Sequence, residues 1–247
     1  MYYMKSPESI GNSKENEPKL LFKATLMRHE KPYYRNEGHD LTPTGVANAK
    51  KRGEYFRDEI IDEDDEMFLL HSPRPRAKGT LEFVAEAAGL EQPIRSIKQI
   101  RNSDTKDHDA IMERFEELGR DKELSARDQY YHPMHLETPD IIETHSHKRE
   151  RLYRAFEYLI RWFEKHPTEA NTSHVLAVSH FELLTHLVND VFDIETIGVY
   201  NTPAFGESVY IKAYDIGDKN KILLDVKYND REKKVYFDRE KRSVEAI

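Results

Sequence analysis

The chain contains no cysteine. This absence excludes disulfide bonds, thiolate-bound zinc and cysteine nucleophiles, and it fits a reducing compartment. Long apolar runs are also missing: no stretch approaches the roughly 20 residues that a membrane-spanning helix needs. Residues 1–19 are polar and lack the apolar core of a secretory signal. We therefore expect a cytoplasmic protein that does not associate with membranes.

Basic residues are outnumbered by acidic ones, with 38 Lys and Arg against 46 Asp and Glu, which gives a formal net charge of -8. Nonspecific binding to nucleic acid requires a basic face, so we expect no nucleic-acid partner. A basic pocket for a small anion is still compatible with this charge, because net charge does not describe one cleft.

Apolar runs of strand length alternate with amphipathic helical patterns. The predicted strands are 20–27, 67–70, 94–100, 174–178, 208–214 and 221–226, and the predicted helices are 43–60, 76–88, 148–166 and 182–191. Such alternation favours a mostly parallel sheet with helices on both faces. The predicted fold class is an α/β three-layer sandwich.

We predict one domain over residues 20–228, after a flexible tail at 1–19. The long polar stretch at about 102–147, with a helical piece near 111–118, is expected to be an inserted cap or lid. Residues 229–247 are rich in charge and are expected to form a solvated extension or a peripheral helix.

Polar residues follow three of the predicted strands directly. They are Arg28-His29-Glu30, His71-Ser72-Pro73 with Arg76 shortly after, and Ser179-His180. Ligands of open parallel sheets bind beyond the carboxyl ends of the strands. Two histidines and two arginines at that edge predict a site for a phosphate-like dianion. Taken singly, each has an ordinary explanation: Arg28-His29 could be a surface pair, His180 a core histidine and Arg76 a charge on a helix face.

Four segments that carry these residues read LMRHEKP, LTPTGVANA, HSPRPRAKGT and VLAVSH. Together they resemble the histidine phosphatase superfamily, which includes phosphoglycerate mutases and acid phosphatases. The resemblance runs from about residue 21 to 214, and the insert is the least similar part. It implies that His29 becomes phosphorylated while Arg28, Arg76 and His180 bind the phosphate oxygens.

The chemistry of these side chains supports the same roles. A neutral imidazole is a competent nucleophile near pH 7, and neighbouring arginines disfavour its protonated form. The planar guanidinium matches phosphate oxygens and stabilises the charge of the transition state. This chemistry requires no metal and no other cofactor. We therefore predict a metal-independent phosphomonoesterase acting on a small-molecule or protein-borne phosphate.

The general acid that protonates the leaving group is the open question. Members of the family usually supply a glutamate in a Leu-x-Glu pattern after the third strand, but the matching stretch here places Gln99 at that position. Asp104, Glu182 and Glu30 are the candidates to replace it. Acid phosphatases of the family have an aspartate directly after the second histidine, so Glu182 is a near match. An activated phosphate would need no acid.

Two alternatives remain open at this point: a phosphomutase of the phosphoglycerate mutase type, and a catalytically weak phosphoester-binding module, which Gln99 would favour. The insert also contains four histidines, His132, His135, His145 and His147. Their spacing includes a His-x-His pair, but nothing completes a metal site, and a solvated lid is the preferred interpretation. Tyr33, Tyr34 and Arg35 either line the substrate mouth or pack the loop.

Overall fold

The computed structural model describes residues 17–35, 37–107, 109–110, 113, 140–167, 172–194 and 203–247. Its strands are β1 (Lys19–Arg28), β2 (Asp65–His71), β3 (Ile94–Ser96), β4 (Thr172–Ser179), β5 (Ser208–Asp215), β6 (Lys221–Tyr228), β7 (Arg231–Asp238) and β8 (Ser243–Ala246). Its α-helices are α1 (Pro43–Glu59), α2 (Pro75–Ala88), α3 (His145–Lys165) and α4 (Phe181–Phe192), and a short 3₁₀ turn covers Lys98–Ile100.

The strands form one sheet in the order β3-β2-β4-β1-β5-β6-β7-β8. Strands β3, β2, β4 and β1 are parallel, whereas β5 pairs antiparallel with β1 and begins an antiparallel meander that ends at β8. The predicted α/β sandwich is confirmed, and the parallel part is confined to four strands. The connections beyond β5 are short turns, which can join only antiparallel neighbours.

Each face of the sheet buries its own apolar cluster, because successive side chains of a strand point to opposite faces. In β1, Leu26 belongs to the cluster that includes residues of α3 and α4, whereas Met27 belongs to the cluster with α1 and α2. The helices therefore cover the sheet as two outer layers. This arrangement leaves the ends of the strands as the place where loops from both layers meet.

The predicted helix boundaries rest on local capping, and the structure shows these caps. Thr42 Oγ1 accepts a hydrogen bond from the Gly45 backbone N–H at 3.0 Å at the start of α1. Gly89 ends α2 with a φ of 72° in the left-handed region. Helix α3 begins three residues earlier than expected because Thr144 caps it through the His147 N–H.

Two expectations at the edges of the sheet are wrong. The third strand ends at Ser96 and does not continue to residue 100, because the chain turns into the 3₁₀ segment. Residues 229–247 are not a solvated extension or a helix, since they supply β7 and β8. Val235 and Phe237 alternate with Lys234, Tyr236 and Asp238, so their burial in the core is compatible with the charge-rich composition.

Several predicted features lie outside the described residues: most of the tail at 1–19, most of the helical piece at 111–118, His132 and His135. None of the helices in the described ranges combines the length and the apolar character that crossing a membrane requires.

Candidate active site

The register of the parallel strands aligns the polar residues that follow them. Arg28 pairs with Ser179 across β1 and β4, and His71 pairs with Val178 across β2 and β4. The residues that come next, His29 after β1 and His180 after β4, therefore leave the sheet at the same level. Their ring centroids lie 5.0 Å apart.

His29 is held in one tautomer by the backbone. Its Nδ1–H donates a hydrogen bond of 2.8 Å to the carbonyl oxygen of Glu30, so that Nε2 carries the lone pair. Arg76 Nε–H donates to this Nε2 at 3.2 Å. Burial, and then the charges of Arg76 and Arg28, lower the pKa of His29 to about 3. His29 is therefore neutral at physiological pH, with its lone pair directed towards a guanidinium.

The guanidinium of Arg28 is fixed by aromatic rings and by a carbonyl group. Its Cζ lies 4.0 Å from the ring centroid of Phe205 and 4.7 Å from that of Phe181, and its Nη1 donates to the Pro203 carbonyl at 2.8 Å. Stacking of this kind restricts the plane of the guanidinium. The Phe205 ring also contacts the ring of His29, at 5.6 Å between centroids.

His180 completes the group of basic side chains. Its Nε2 shares a hydrogen bond of 2.6 Å with Ser72 Oγ, which follows β2. Burial lowers the pKa of His180 well below its usual value, and the charge of Arg76 contributes to this shift. The imidazole is therefore neutral in the ligand-free protein.

Two helices begin at this edge of the sheet. Arg76 lies in the first turn of α2, and His180 is the N-cap residue of α4. The free backbone N–H groups and the positive dipole ends of such helices favour an anion. Together with Arg28 and Arg76, they give a buried cluster of positive charge that a phosphate group would neutralise.

Gln99 and Asp104 lie apart from this group of residues. Gln99 is exposed on the 3₁₀ turn, where its backbone carbonyl oxygen accepts a 2.7 Å hydrogen bond from Arg151 Nη1. Asp104 pairs with Arg101, which holds the pKa of the carboxyl below its usual range. A carboxylate that is ionised and paired is a poor proton donor, so the structure disfavours Asp104 as the general acid.

The carboxylate of Glu30 lies next to Gly206. A Cβ added to Gly206 would lie 2.0 Å from Glu30 Oε1, so the carboxylate lies directly beneath the loop before β5. Burial raises the pKa of Glu30, while Arg52 on α1 opposes this shift. We interpret Glu30 as a group that packs this loop against α1.

Glu182 shares the buried end of the sheet with the basic side chains. It is 5% exposed in the first turn of α4, and its charge interacts favourably with both Arg76 and Lys148. Of the three proposed acids, two act through their charges on an arginine of the predicted phosphate site: Glu182 on Arg76 and Glu30 on Arg28. The interaction of the Glu182 charge with Arg76 is suited to orienting that guanidinium.

The two histidines of the insert that the structure describes lie on α3. His145 Nδ1 lies 3.2 Å from His186 Nε2, and His147 lines a surface cleft together with Gln99 and Asp104. The two side chains thus face different surroundings. Within the described ranges, the one group with the spacing of a metal site is Asp62, Asp64 and Asp65 at the other end of the sheet.

Sequence reasoning missed several residues that shape the site. Ser72 contacts His180, Arg74 donates to Asn102 Oδ1 at 2.8 Å, and Phe205 packs on Arg28. Two sequence features could have assigned residues to the site: Ser72 directly follows a strand, and Arg74 lies two residues before Arg76. Phe205 carried no signal, because its loop meets the site only through the antiparallel pairing of β5 with β1.

Solved structures with this fold are numerous, and three are representative. A phosphoglycerate mutase from Bacillus anthracis superposes with a TM-score of 0.59 at 16% identity, covering 86% of this chain and 93% of that chain. A mycobacterial glucosyl-3-phosphoglycerate phosphatase in complex with inorganic phosphate gives 0.57 at 14% identity, covering 85% and 97%. An α-ribazole phosphatase from Shigella flexneri gives 0.51 at 18% identity, covering 77% and 90%.

No curated protein matches the chain in sequence. The family model of the histidine phosphatase superfamily (branch 1), in contrast, matches residues 24–223. This range runs from within β1 to the start of β6, and it contains the four α-helices given above and every side chain of the site. The chain belongs to the histidine phosphatase superfamily.

Proposed function

We propose that the protein is a metal-independent phosphomonoesterase that works through a phosphohistidine at His29. The observation that carries the proposal is the state of the His29 ring. Its Nδ1–H is bound to a backbone carbonyl, and its Nε2 lone pair faces the guanidinium of Arg76 at 3.2 Å. A neutral imidazole with one nitrogen anchored is suited to nucleophilic attack by the other nitrogen.

The reaction proceeds in two displacements. In the first, the Nε2 lone pair of His29 forms a bond to phosphorus while the bond from phosphorus to the ester oxygen breaks. The leaving oxygen keeps that electron pair and takes up a proton. In the second, water attacks phosphorus, the bond from phosphorus to Nε2 breaks, and inorganic phosphate leaves. The proton that water gives up replaces the one that the leaving oxygen took up. Arg28, Arg76 and His180 stabilise the equatorial oxygens in both steps.

The arrival of phosphate frees the nucleophile. In the ligand-free protein the Arg76 N–H occupies the lone pair that must attack. A phosphate oxygen is a stronger, charged acceptor for a guanidinium than an imidazole nitrogen. Binding of the substrate therefore moves the Arg76 donor from His29 to the phosphate and activates His29 in the same event.

Trapping of the intermediate tests the proposal. The protein is mixed with ³²P-labelled aryl phosphate, quenched, and examined for label that is stable in base and labile in acid, as phosphohistidine is. We expect such label on the wild-type protein and none on His29→Ala. Release of inorganic phosphate in proportion to the alcohol formed identifies hydrolysis. Transfer of the label to a second hydroxyl group would instead identify a mutase, and binding without any turnover would identify the phosphoester-binding module.

A further inference from the structure

Two adjacent aromatic side chains are exposed beside the proposed phosphate site. Tyr33 is 48% exposed and Tyr34 is 61% exposed. They lie in the loop that joins the nucleophile segment to α1. Among the described residues, no other pair of sequence neighbours exposes two large aromatic rings to this extent. Exposed aromatic surface of this kind marks a binding site more often than chance.

The loop that presents these rings is well anchored. The backbone N–H of Tyr33 donates to the Asp40 carbonyl at 3.0 Å, and that of Arg35 donates to Asp40 Oδ1 at 2.8 Å. Pro32 and Leu41 close the loop as a β-bridge. The exposed tyrosines therefore lie in a segment that backbone hydrogen bonds and a β-bridge hold in place.

The backbone of Tyr34 is in a conformation that a tyrosine rarely adopts. Its φ is 62°, and Asp40, which anchors the same loop, has a φ of 54°. A bulky side chain in the left-handed region costs free energy that glycine or asparagine would avoid. Strained residues of this kind cluster where a side chain must be presented to a ligand.

This conformation carries the Tyr34 ring to the phosphate-binding arginine. The ring centroid lies 5.4 Å from Cζ of Arg76, the residue whose Nε contacts the lone pair of His29. An ester group bound to Arg76 would hold its leaving group next to Tyr34. The ring is thus placed to stack on whatever is attached directly to the phosphate.

We infer that Tyr34, with Tyr33 beside it, forms a stacking surface for the leaving group, and that the preferred substrates are aryl phosphates. The inference rests on the proposed function and names its substrate class. It agrees with the positions of the carboxylates: Asp104 is paired with Arg101, and Glu30 packs beneath the loop before β5. A phenolate is stabilised by its own ring and depends less on a general acid than an alkoxide does.

Binding of two phosphonates that are not hydrolysed tests the inference. Phenylphosphonate and cyclohexylphosphonate have rings of similar size, and only the first is planar and aromatic. We expect calorimetry to show that the wild-type protein binds phenylphosphonate about three- to tenfold more tightly, the range that one aromatic pair provides. Tyr34→Phe keeps this preference. Tyr34→Asn, which removes the ring and tolerates the left-handed backbone, reduces it to below twofold.

Tyr55→Leu is the matched control, because Tyr55 is an exposed tyrosine on α1 and its loss should leave the preference unchanged. Equal binding of both phosphonates to the wild-type protein, or a preference that survives in Tyr34→Asn, overturns the inference and leaves the phosphate site intact. If neither phosphonate nor inorganic phosphate binds, the proposed function fails as well. If the inference is upheld, the ratio of kcat/KM for phenyl phosphate to kcat/KM for a phosphotyrosine peptide shows whether the aryl phosphate substrate is a small molecule or a protein.

Discussion

Buried histidines lie at both ends of the parallel strands β1, β2 and β4. The surroundings of His174, at the amino ends, differ from those of His29, at the carboxyl ends. At the amino ends, His174 Nδ1–H donates to Asp65 Oδ2 at 2.8 Å, and its Nε2 shares a 2.9 Å hydrogen bond with Thr25 Oγ1. Lys23 binds the same Asp65 carboxylate at 2.7 Å. His174 and Lys23 thus share one carboxylate as their partner.

At the carboxyl ends, His29 meets a cation where His174 meets a carboxylate. Arg76 Nε donates to His29 Nε2, and Arg28 adds a second positive charge that lowers the pKa of His29. The imidazole thus belongs to a hydrogen-bonded cluster around a carboxylate at one end and to a cluster that attracts an anion at the other. The comparison teaches that the sign of the partner, and not the burial of the histidine, separates a structural histidine from a candidate catalytic one.

Replacement of each histidine by alanine gives the largest contrast between the two ends. We expect His29→Ala to lose at least about 10³-fold in kcat/KM for an aryl phosphate, because the nucleophile is gone. We expect His174→Ala to keep its activity per folded molecule within about threefold but to lose about 1–3 kcal/mol of stability, because Asp65 and Thr25 lose a buried partner. Steady-state kinetics and urea unfolding measure the two effects, and similar activity losses in both variants would refute the distinction.

Exchange of the cation at each end is the next test. Arg76→Lys keeps the charge but loses the planar fork, so we expect kcat to fall by about 10²-fold and vanadate inhibition to weaken. Lys23→Arg, at the amino ends, is the control and should leave inhibition by vanadate unchanged. Inhibition of Arg76→Lys equal to that of the wild type would make Arg76 an ordinary helix-face residue.

The two ends should also respond to acid in different pH windows. The unfolded chain protonates His29 and His180 near pH 6.5, but the folded chain does not, because their native pKa values are lowered. Stability contributed by these groups is therefore full above pH 6.5 and falls as the pH drops towards 3. At the amino ends, although burial alone would raise it, hydrogen bonds from His174 and Lys23 hold the pKa of Asp65 below its usual value. The stability that the ionised Asp65 contributes to the folded protein is therefore lost only below about pH 4.

Thermal unfolding between pH 7 and pH 3 measures these windows. We expect His29→Ala to flatten the loss of Tm between pH 6.5 and 4, and Asp65→Asn to leave that part of the profile unchanged. Inorganic phosphate should raise Tm by mass action where it binds the folded site. A profile for His29→Ala that is parallel to that of the wild type would show that the imidazole titrates normally in the folded protein.

The smallest effect is expected from Asp104. Because this carboxylate is exposed and paired with Arg101, Asp104→Asn should change kcat/KM by less than about twofold for alkyl and aryl phosphates alike. Glu182→Gln, measured in parallel, should weaken phosphate binding through Arg76. A steeper dependence of kcat/KM on the pKa of the leaving group in either variant would identify that carboxylate as the general acid.

The sequence predicted the parts of the fold and site that depend on local signals. Thr42 with Pro43, and Gly89, mark helix ends through capping chemistry, and Arg28-His29 and Ser179-His180 follow apolar runs that end at the same edge of a sheet. Position in a motif could not tell which carboxylate acts on the phosphate site, because Glu182 meets Arg76 only through the fold, whereas Asp104 pairs with Arg101 three residues away. The charge-rich residues of β7 hid a strand for the same reason, since Val235 and Phe237 are buried by long-range packing.

The position of β1 at the junction of the parallel and antiparallel halves has a consequence for folding. Strands β5 to β8 pair with neighbours in one continuous segment, whereas β1 must pair with β4 and β5, so that Lys23 meets His174. Closing such a long loop is slow compared with forming a meander. During synthesis β1 leaves the ribosome first, yet both of its partner strands emerge late. Its backbone N–H and C=O groups stay unpaired until β4 and β5 have been made, and the phosphate site, which needs residues that follow both β1 and β4, forms no earlier.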